Sequence, residues 1–339
     1  MVQQQPIIAI TIGDPCGIGP EVVAKALVMP EVREMCQPLV VGNVQVMRDA
    51  FDSLGARDRT FEVREVQGPG DIASSPEVIS VLDPHNLNSE DIVIGEASAA
   101  AGRASMEWVE LAAQLCLSGD AQGMATAPLN KAAAALAGYK EIGHSELLQS
   151  LTQAPQVATM LMSGTLRVVH LTTHRSLREA CNAVTRDNVL AKVKLTHDYF
   201  VEWGFPQPRI GVAALNPHAS DGGLVGDEEA TAIEPAVADA RALGIEATGP
   251  VPADTVFTQA IDGMYDVVLC MYHDQGHIPV KVYGFEESVS VNLGLPLVRT
   301  SVDHGTAFDI AGKGVAQATS MVEAVKLAAA LASGRGLPR

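Results

Sequence analysis

Short runs dense in Val, Ile and Leu recur along this chain, each closed by Gly, Pro or a polar cluster, and most are followed by a stretch with helical spacing. Runs bounded in this way read as buried strands, because a strand covered on both faces has no need of polar alternation. PIIAITIGD, PLVVGN, VISVLD, GMATAPLN, ATMLMS, LRVVHLTTH, RIGVAALN and YDVVLCMYHD are the predicted strands. Helical periodicity covers 96–118, 186–203, 227–243 and 319–332. Further helices are expected from about Pro20, where proline suits a first turn, and over AAAALAG after Lys131. Alternation of this kind predicts an α/β fold layered around a largely parallel sheet. At 339 residues the chain exceeds what one core usually supports, so two domains are expected. The first is placed at 1–125 plus 300–339 and the second at 126–299, with no repeat or long linker to mark the border.

Three of the apolar runs end in a histidine: VVHLTTH at His174, GVAALNPH at His218 and DVVLCMYH at His273. Open α/β sheets bind ligands beyond the C-terminal ends of their strands, which is where these imidazoles fall. A lone histidine beside a strand is most often a satisfied structural residue. Three in equivalent positions could equally hold a divalent metal and leave a coordination site open, as catalysis requires. Asn216 and Asp274 flank two of them.

Composition removes several classes of partner. The net charge is −17 and the sequence pI is about 4.8, which argues against a nucleic-acid backbone or an anionic membrane. A small anionic substrate remains open, since a few local cations decide a pocket. Five scattered cysteines without CxxC spacing indicate neither a disulfide framework nor a zinc knuckle, and suggest a reducing compartment. The N-terminus lacks a basic leader and no run reaches membrane length, so a cytoplasmic protein is expected.

Other motifs carry chemistry beside a plainer structural alternative. GDPCGIGPE, from Gly13 to Glu21, is a strand-to-helix turn that could face an anion or serve the fold; its spacing does not match the G-x-G-x-x-G dinucleotide fingerprint. GHSELL puts His144 and Ser145 at a helix start, with Ser145 able to cap or to bind phosphate. HDQGHIPVK places His273, Asp274, His277 and Lys281 within nine residues, with a sharp turn expected at Gly276 and His277 as an alternative fourth ligand. Arg299 can clamp an anion through two parallel bonds, ahead of a glycine-bounded loop at His304, Gly305 and Thr306. Asp254 in PADT suits either a helix cap or a carboxylate beside a metal.

Taken in order, GDPCGIGPE, ATAPLNK, GHSELL, LTTH, NPHASDGG, GPVPADTVF, MYHDQGHIPVK and LPLVRTSVDHGTAFDIAGKG resemble the 4-hydroxythreonine-4-phosphate dehydrogenase family of vitamin B6 biosynthesis over nearly the whole chain. The resemblance implies two α/β/α layered domains similar to those of isocitrate and isopropylmalate dehydrogenases, with the active site in the cleft between them. It implies oxidation of a secondary alcohol β to a carboxylate, followed by decarboxylation, in a homodimer whose active sites lie at the subunit interface. NAD is the implied cofactor, with NADP as the alternative. The implied divalent metal is zinc first, then cobalt, nickel, manganese or magnesium.

Carried onto this chain, the resemblance puts the metal on His174, His218 and His273. Substrate falls on His144, Ser145, Lys281, Ser290, Asn292 and Arg299. Asp254, Asp274 and Lys281 become candidates for proton handling or orientation, and Gly294, His304, Gly305, Thr306, Asp309 and Lys313 for the dinucleotide. Two positions depart from the family pattern: Ser145 stands where threonine is usual, and SVSVN puts Ser290 where an asparagine is usual, with Asn292 two residues on along the same strand face. Similar motifs occur in enzymes acting on threonate or erythronate 4-phosphates and on aromatic cis-dihydrodiol carboxylates. The rival readings of other classes are a metal-dependent hydrolase and an inactive anion-binding protein.

Overall fold

The computed structural model describes residues 5–55, 61–141 and 143–339; residues 1–4 of the N-terminal segment read above lie outside them. The chain opens with β1 (Ile7–Thr11), α1 (Gly19–Leu27), α2 (Pro30–Met35), β2 (Gln37–Val41), α3 (Val44–Ser53), β3 (Glu62–Val66), β4 (Val78–Leu82), α4 (Ala99–Ser118), β5 (Gly123–Thr126), α5 (Lys131–Leu136) and α6 (His144–Thr152). Next come β6 (Ala158–Ser163), β7 (Leu166–His170), α7 (Leu177–Asn182), α8 (Arg186–Glu202), β8 (Ile210–Ala213), α9 (Glu234–Ala242), β9 (Ala247–Val251), α10 (Val256–Ile261), β10 (Val267–Cys270), α11 (His273–Tyr283) and β11 (Val289–Leu293). The last two elements are β12 (Arg299–Val302) and α12 (Thr319–Ala332). Each predicted apolar run contains a strand, and side-chain caps start the long helices: Ser98 accepts from Ala101 N–H before α4 and Thr185 from Asn188 N–H before α8.

Two compact units result, Met1–Pro155 with Leu295–Gly334, and Gln156–Gly294 with Arg335–Arg339. In the first unit the strands run β3-β4-β2-β1-β5-β12, all parallel. The central β1 buries Ile8, Ala9 and Ile10 completely, which is why it reads as an unbroken apolar run. In the second unit the order is β11-β6-β7-β10-β8-β9. There β11 and β7 pair antiparallel with β6, and the remaining pairs are parallel.

Residues 126–155, assigned from sequence to the second domain, cluster with the first. Close packing is the cause: a Cβ at Gly102 on α4 would overlap the Ala133 carbonyl, so α4 and α5 meet backbone to backbone. The expected helix over 227–243 is broken into a π-helical turn at Glu229–Ile233 followed by α9. Pro235 at the start of α9 offers no N–H to the carbonyl four residues earlier, and the chain before it widens. All five cysteines are free thiols. Among the described residues no helix is long and apolar enough to cross a membrane.

Candidate active site

Within the first unit the parallel register of β12 on β5 sets Ser301 opposite Thr126 and brings Arg299 to its hydroxyl. Arg299 is 3 % exposed, and its Nη2 donates to Thr126 Oγ1 at 2.7 Å. Burial pulls its pKa down to about 9, with Glu146 opposing, so the guanidinium is still a cation at neutral pH. His144, the first residue of α6, lies within the field of that charge. Burial and then the Arg299 charge push the imidazole well below its ordinary pKa, while a hydrogen bond to the Ala127 backbone opposes them. Among the described residues its Nε2 is buried without a hydrogen-bond partner. A desolvated cation beside an unsatisfied imidazole nitrogen makes a seat for an anionic group that can also offer a proton. Ser145 does not cap α6, whose N-cap is Gly143.

The predicted metal histidines all belong to the second unit. His174, in a bend past β7, and His273, the first residue of α11, have ring centroids 6.1 Å apart. Two imidazoles at that spacing can face one ion. His273 Nδ1 lies 2.7 Å from Asp274 Oδ1 and His218 Nδ1 3.2 Å from Asp221 Oδ2. A carboxylate at Nδ1 fixes the tautomer that leaves Nε2 free to ligate, so the donor chemistry suits a divalent metal. The predicted trio is nevertheless not gathered in one chain: among the described residues no three His, Cys, Asp or Glu side chains group as ligands. His218 is instead exposed on a turn in which residues 218–221 all have positive φ. That costly backbone is anchored by Asn216, whose Nδ2 donates to Glu228 and Glu229.

The segment after β10 corrects the sequence reading. HDQGHIPVK is helix, not a loop turning at Gly276. The glycine is needed because the His170 ring packs against it; a Cβ there would overlap His170 Nε2 and approach Val168. His170 is 1 % exposed, and its Nδ1 lies 3.2 Å from the Thr159 carbonyl. Its Nε2 is 3.1 Å from His277 Nδ1, and the His277 ring stacks on His273 at 3.6 Å between centroids. His277 is therefore built into a column under His273, where the sequence offered it as a further ligand. Gln275 ties strand ends together, accepting from Met271 N–H and donating to the Ala214 carbonyl, each at 2.7 Å. His170, Gln275 and Glu229 escaped the sequence reading; the only local hint was a glycine inside a histidine-rich run.

The other predicted residues separate by environment. Lys281 lies 5.3 Å from the Phe285 ring, and Ser290 and Asn292 share a face of β11, with Asn292 2 % exposed. Asp254 and Asp274 are exposed; Asp254 does not cap α10, whose N-cap is Thr255. Gly294 has φ 92° and packs on the Gln156 carbonyl.

In the first unit the glycines of GDPCGIGPE are consumed by packing: Gly13 meets Pro128, Gly17 meets Thr306 and Gly19 meets Ile12. The N–H groups of Cys16 and Gly17 are taken by Asp14 and that of Ile18 by Thr306, so the turn serves the fold. Thr306 also accepts from Ile18 N–H through its carbonyl and from Asn130 through its hydroxyl. Around Gly305 and Gly314 the space is open, His304 Nε2 is buried without a hydrogen-bond partner among the described residues, and Asp309 and Lys313 are exposed. An open glycine backbone with an unsatisfied imidazole fits a polar ligand such as a dinucleotide.

The chain is 44% identical over 342 residues to 4-hydroxythreonine-4-phosphate dehydrogenase of Geobacter metallireducens, covering 100% of both chains. It is 44% identical over 331 residues to D-threonate 4-phosphate dehydrogenase of Cupriavidus necator, covering 97% of this chain and 98% of that one. The crystal structure of 4-hydroxythreonine-4-phosphate dehydrogenase from Klebsiella pneumoniae superposes with a TM-score of 0.87 at 41% identity, over 98% of this chain and 100% of the other. With residues 34–328 also matching the model of the pyridoxal phosphate biosynthetic protein PdxA family, the chain belongs to that family.

Proposed function

We propose that this protein is a metal-dependent, NAD-linked dehydrogenase that oxidises the secondary hydroxyl of a four-carbon hydroxy acid 4-phosphate and releases the adjacent carboxylate as CO₂. The observation that carries the reading is the buried Arg299 with the unsatisfied His144 Nε2 beside it. Arg299 turns its Nε–Nη2 edge to Thr126 Oγ1, so a phosphate would be met from the Nη1–Nη2 side of the guanidinium. His144 is neutral before substrate arrives, and a phosphate monoanion can donate its P–OH proton to Nε2; the phosphate charge then favours the protonated ring.

Ser145, Lys281, Ser290 and Asn292 complete the proposed substrate contacts, and Asp254, Asp274 and Lys281 are the groups proposed to move or hold protons. Gly294, His304, Gly305, Thr306, Asp309 and Lys313 are proposed to seat NAD, or NADP. His174, His218 and His273 would hold the metal, zinc first among the candidates. Because among the described residues His174 and His273 come together without a third ligand, we place the third imidazole in a second copy, which makes the homodimer part of the proposed catalytic unit. When bound, the metal supplies Lewis-acid polarisation of the reacting oxygen and NAD accepts the hydride. The free thiols are consistent with a reducing cytoplasm. The relatives named above are dehydrogenases, which leaves the hydrolase and the inactive binder without support.

The test follows NADH absorbance with D-threonate 4-phosphate, 4-hydroxythreonine 4-phosphate and an aromatic cis-dihydrodiol carboxylate, before and after chelation and metal return. NADH formed from a phosphorylated acid, lost on chelation and restored by metal, is the expected result. Turnover of the dihydrodiol alone, or full activity after complete metal removal, overturns the assignment.

A further inference from the structure

The proposed dinucleotide loop ends in a segment with little apolar anchorage, Ala316 alone of residues 314–316 being buried. Val315 is 60% exposed, and a Cβ at Gly314 would meet nothing within 4 Å. Polar contacts from α1 supply the rest. Lys25 Nζ donates to the Gly314 carbonyl at 2.9 Å, to the Ala316 carbonyl at 2.7 Å and to Glu21 Oε1 at 2.7 Å. Ala316 N–H in turn donates to Glu21 Oε1 at 2.8 Å. An ammonium has three protons to give, and all three are placed here.

Little of this clamp faces water: the Lys25 side chain is 24% exposed and that of Glu21 8%. Shielded charge-assisted bonds of this kind hold geometry far better than an exposed ion pair. The clamp also borders two cavities of the first unit. One of about 380 Å³ is lined by Glu21 with Gly17, Ile94 and Gly312, and one of about 510 Å³ by Lys25 with Gly314 and Ala316.

We propose that Glu21 and Lys25 are positioning residues for the dinucleotide: by fixing 314–316 on α1 they hold the 303–314 loop in the shape that binds it. The inference rests on the assignment of that loop to NAD. Neither residue need touch the cofactor. Loss of the clamp lets the loop occupy other shapes, and affinity falls in proportion to the share of molecules still in the competent one.

The experiment measures NAD⁺ binding by calorimetry and amide exchange over 310–318 in the full-length protein, for the unmodified chain and for Lys25→Met, Lys25→Arg and Glu21→Gln. Lys25→Met is expected to weaken NAD⁺ by roughly tenfold and to speed exchange in 312–318, while kcat at saturating NAD⁺ and the KM for the hydroxy acid stay within about twofold. Lys25→Arg, which keeps the charge, should recover most of the affinity. Glu21→Gln retains an acceptor for Ala316 N–H and supplies the weaker, safely folded variant. Faster exchange with unchanged NAD⁺ affinity overturns the inference alone, as does unchanged exchange. An unmodified protein that binds no dinucleotide overturns the loop assignment first and this inference with it.

Discussion

Acid should weaken the second unit through His170 in a way that one substitution can isolate. The ring is buried, and burial, then the neighbouring His277 and His273, lower its pKa to about 3, with the Thr159 carbonyl opposing. A folded-state pKa below the unfolded value of about 6.5 means that the unfolded chain takes up a proton which the folded chain refuses. The resulting stability is complete above the unfolded pKa and is lost as pH falls from there towards the folded one. Between about pH 7 and pH 5.5 the unfolded imidazole goes from mostly neutral to mostly charged, and the loss comes to about 1.3 kcal/mol for this one group. His170→Gln keeps a donor and an acceptor but cannot titrate. The amide exchange of β7 and β10 in metal-free protein at the two pH values measures the change. The unmodified protein should lose about 1.3 kcal/mol more opening free energy on acidification than the variant, because groups common to both, His144 included, cancel in the difference. Equal pH dependence in the two proteins would show that His170 protonates in the folded state and would refute the reasoning.

Arg299→Lys retains charge but loses the fork, and kcat/KM should fall by the equivalent of roughly 1–3 kcal/mol; unchanged kinetics would confine Arg299 to a structural role. Gly276→Ala drives a methyl into His170 and should cost about 1–3 kcal/mol of stability in urea, whereas a neutral result would mean that α11 can shift away from β7. On the proposal that Ser290 replaces an asparagine that reads the amino substrate, Ser290→Asn should move the kcat/KM ratio towards 4-hydroxythreonine 4-phosphate and away from D-threonate 4-phosphate by about 1–2 kcal/mol. A native preference for the amino substrate would sink that reading.

Where a segment's own pattern decided its state, it was legible. The apolar runs were found because strands buried on both faces can hold little else, as Ile8 to Ile10 show. Three strands escaped: β3 and β9 are edges, while β12, RTSV, is buried throughout but too polar to read as an apolar run. β3 reads EVREV with its charges outward, and β9 carries Pro250, which only an edge tolerates. α11 escaped because Gly276 and Pro279 are helix breakers by local rule, overridden where the glycine admits the His170 ring. The sequence left GDPCGIGPE between a structural turn and an anion loop because the partners that settle Gly13 and Gly17, Pro128 and Thr306, are remote in sequence.

The sequence by itself determined the α/β class, the type of each strongly patterned element and the family, since these rest on short-range sterics, hydrophobic spacing and ordered motifs. It also named the residues of a candidate anion site and a candidate metal site. Only the tertiary structure decided which of them meet. Arg299 reaches Thr126 because β12 lies beside β5, and Lys25 reaches Gly314 because the loop ahead of α12 returns over α1. His174 and His273 pair because β7 and β10 are neighbours, while His218 faces solvent on its own turn. Strand order is a global choice set by how all the layers bury their faces together, and no window of sequence carries it.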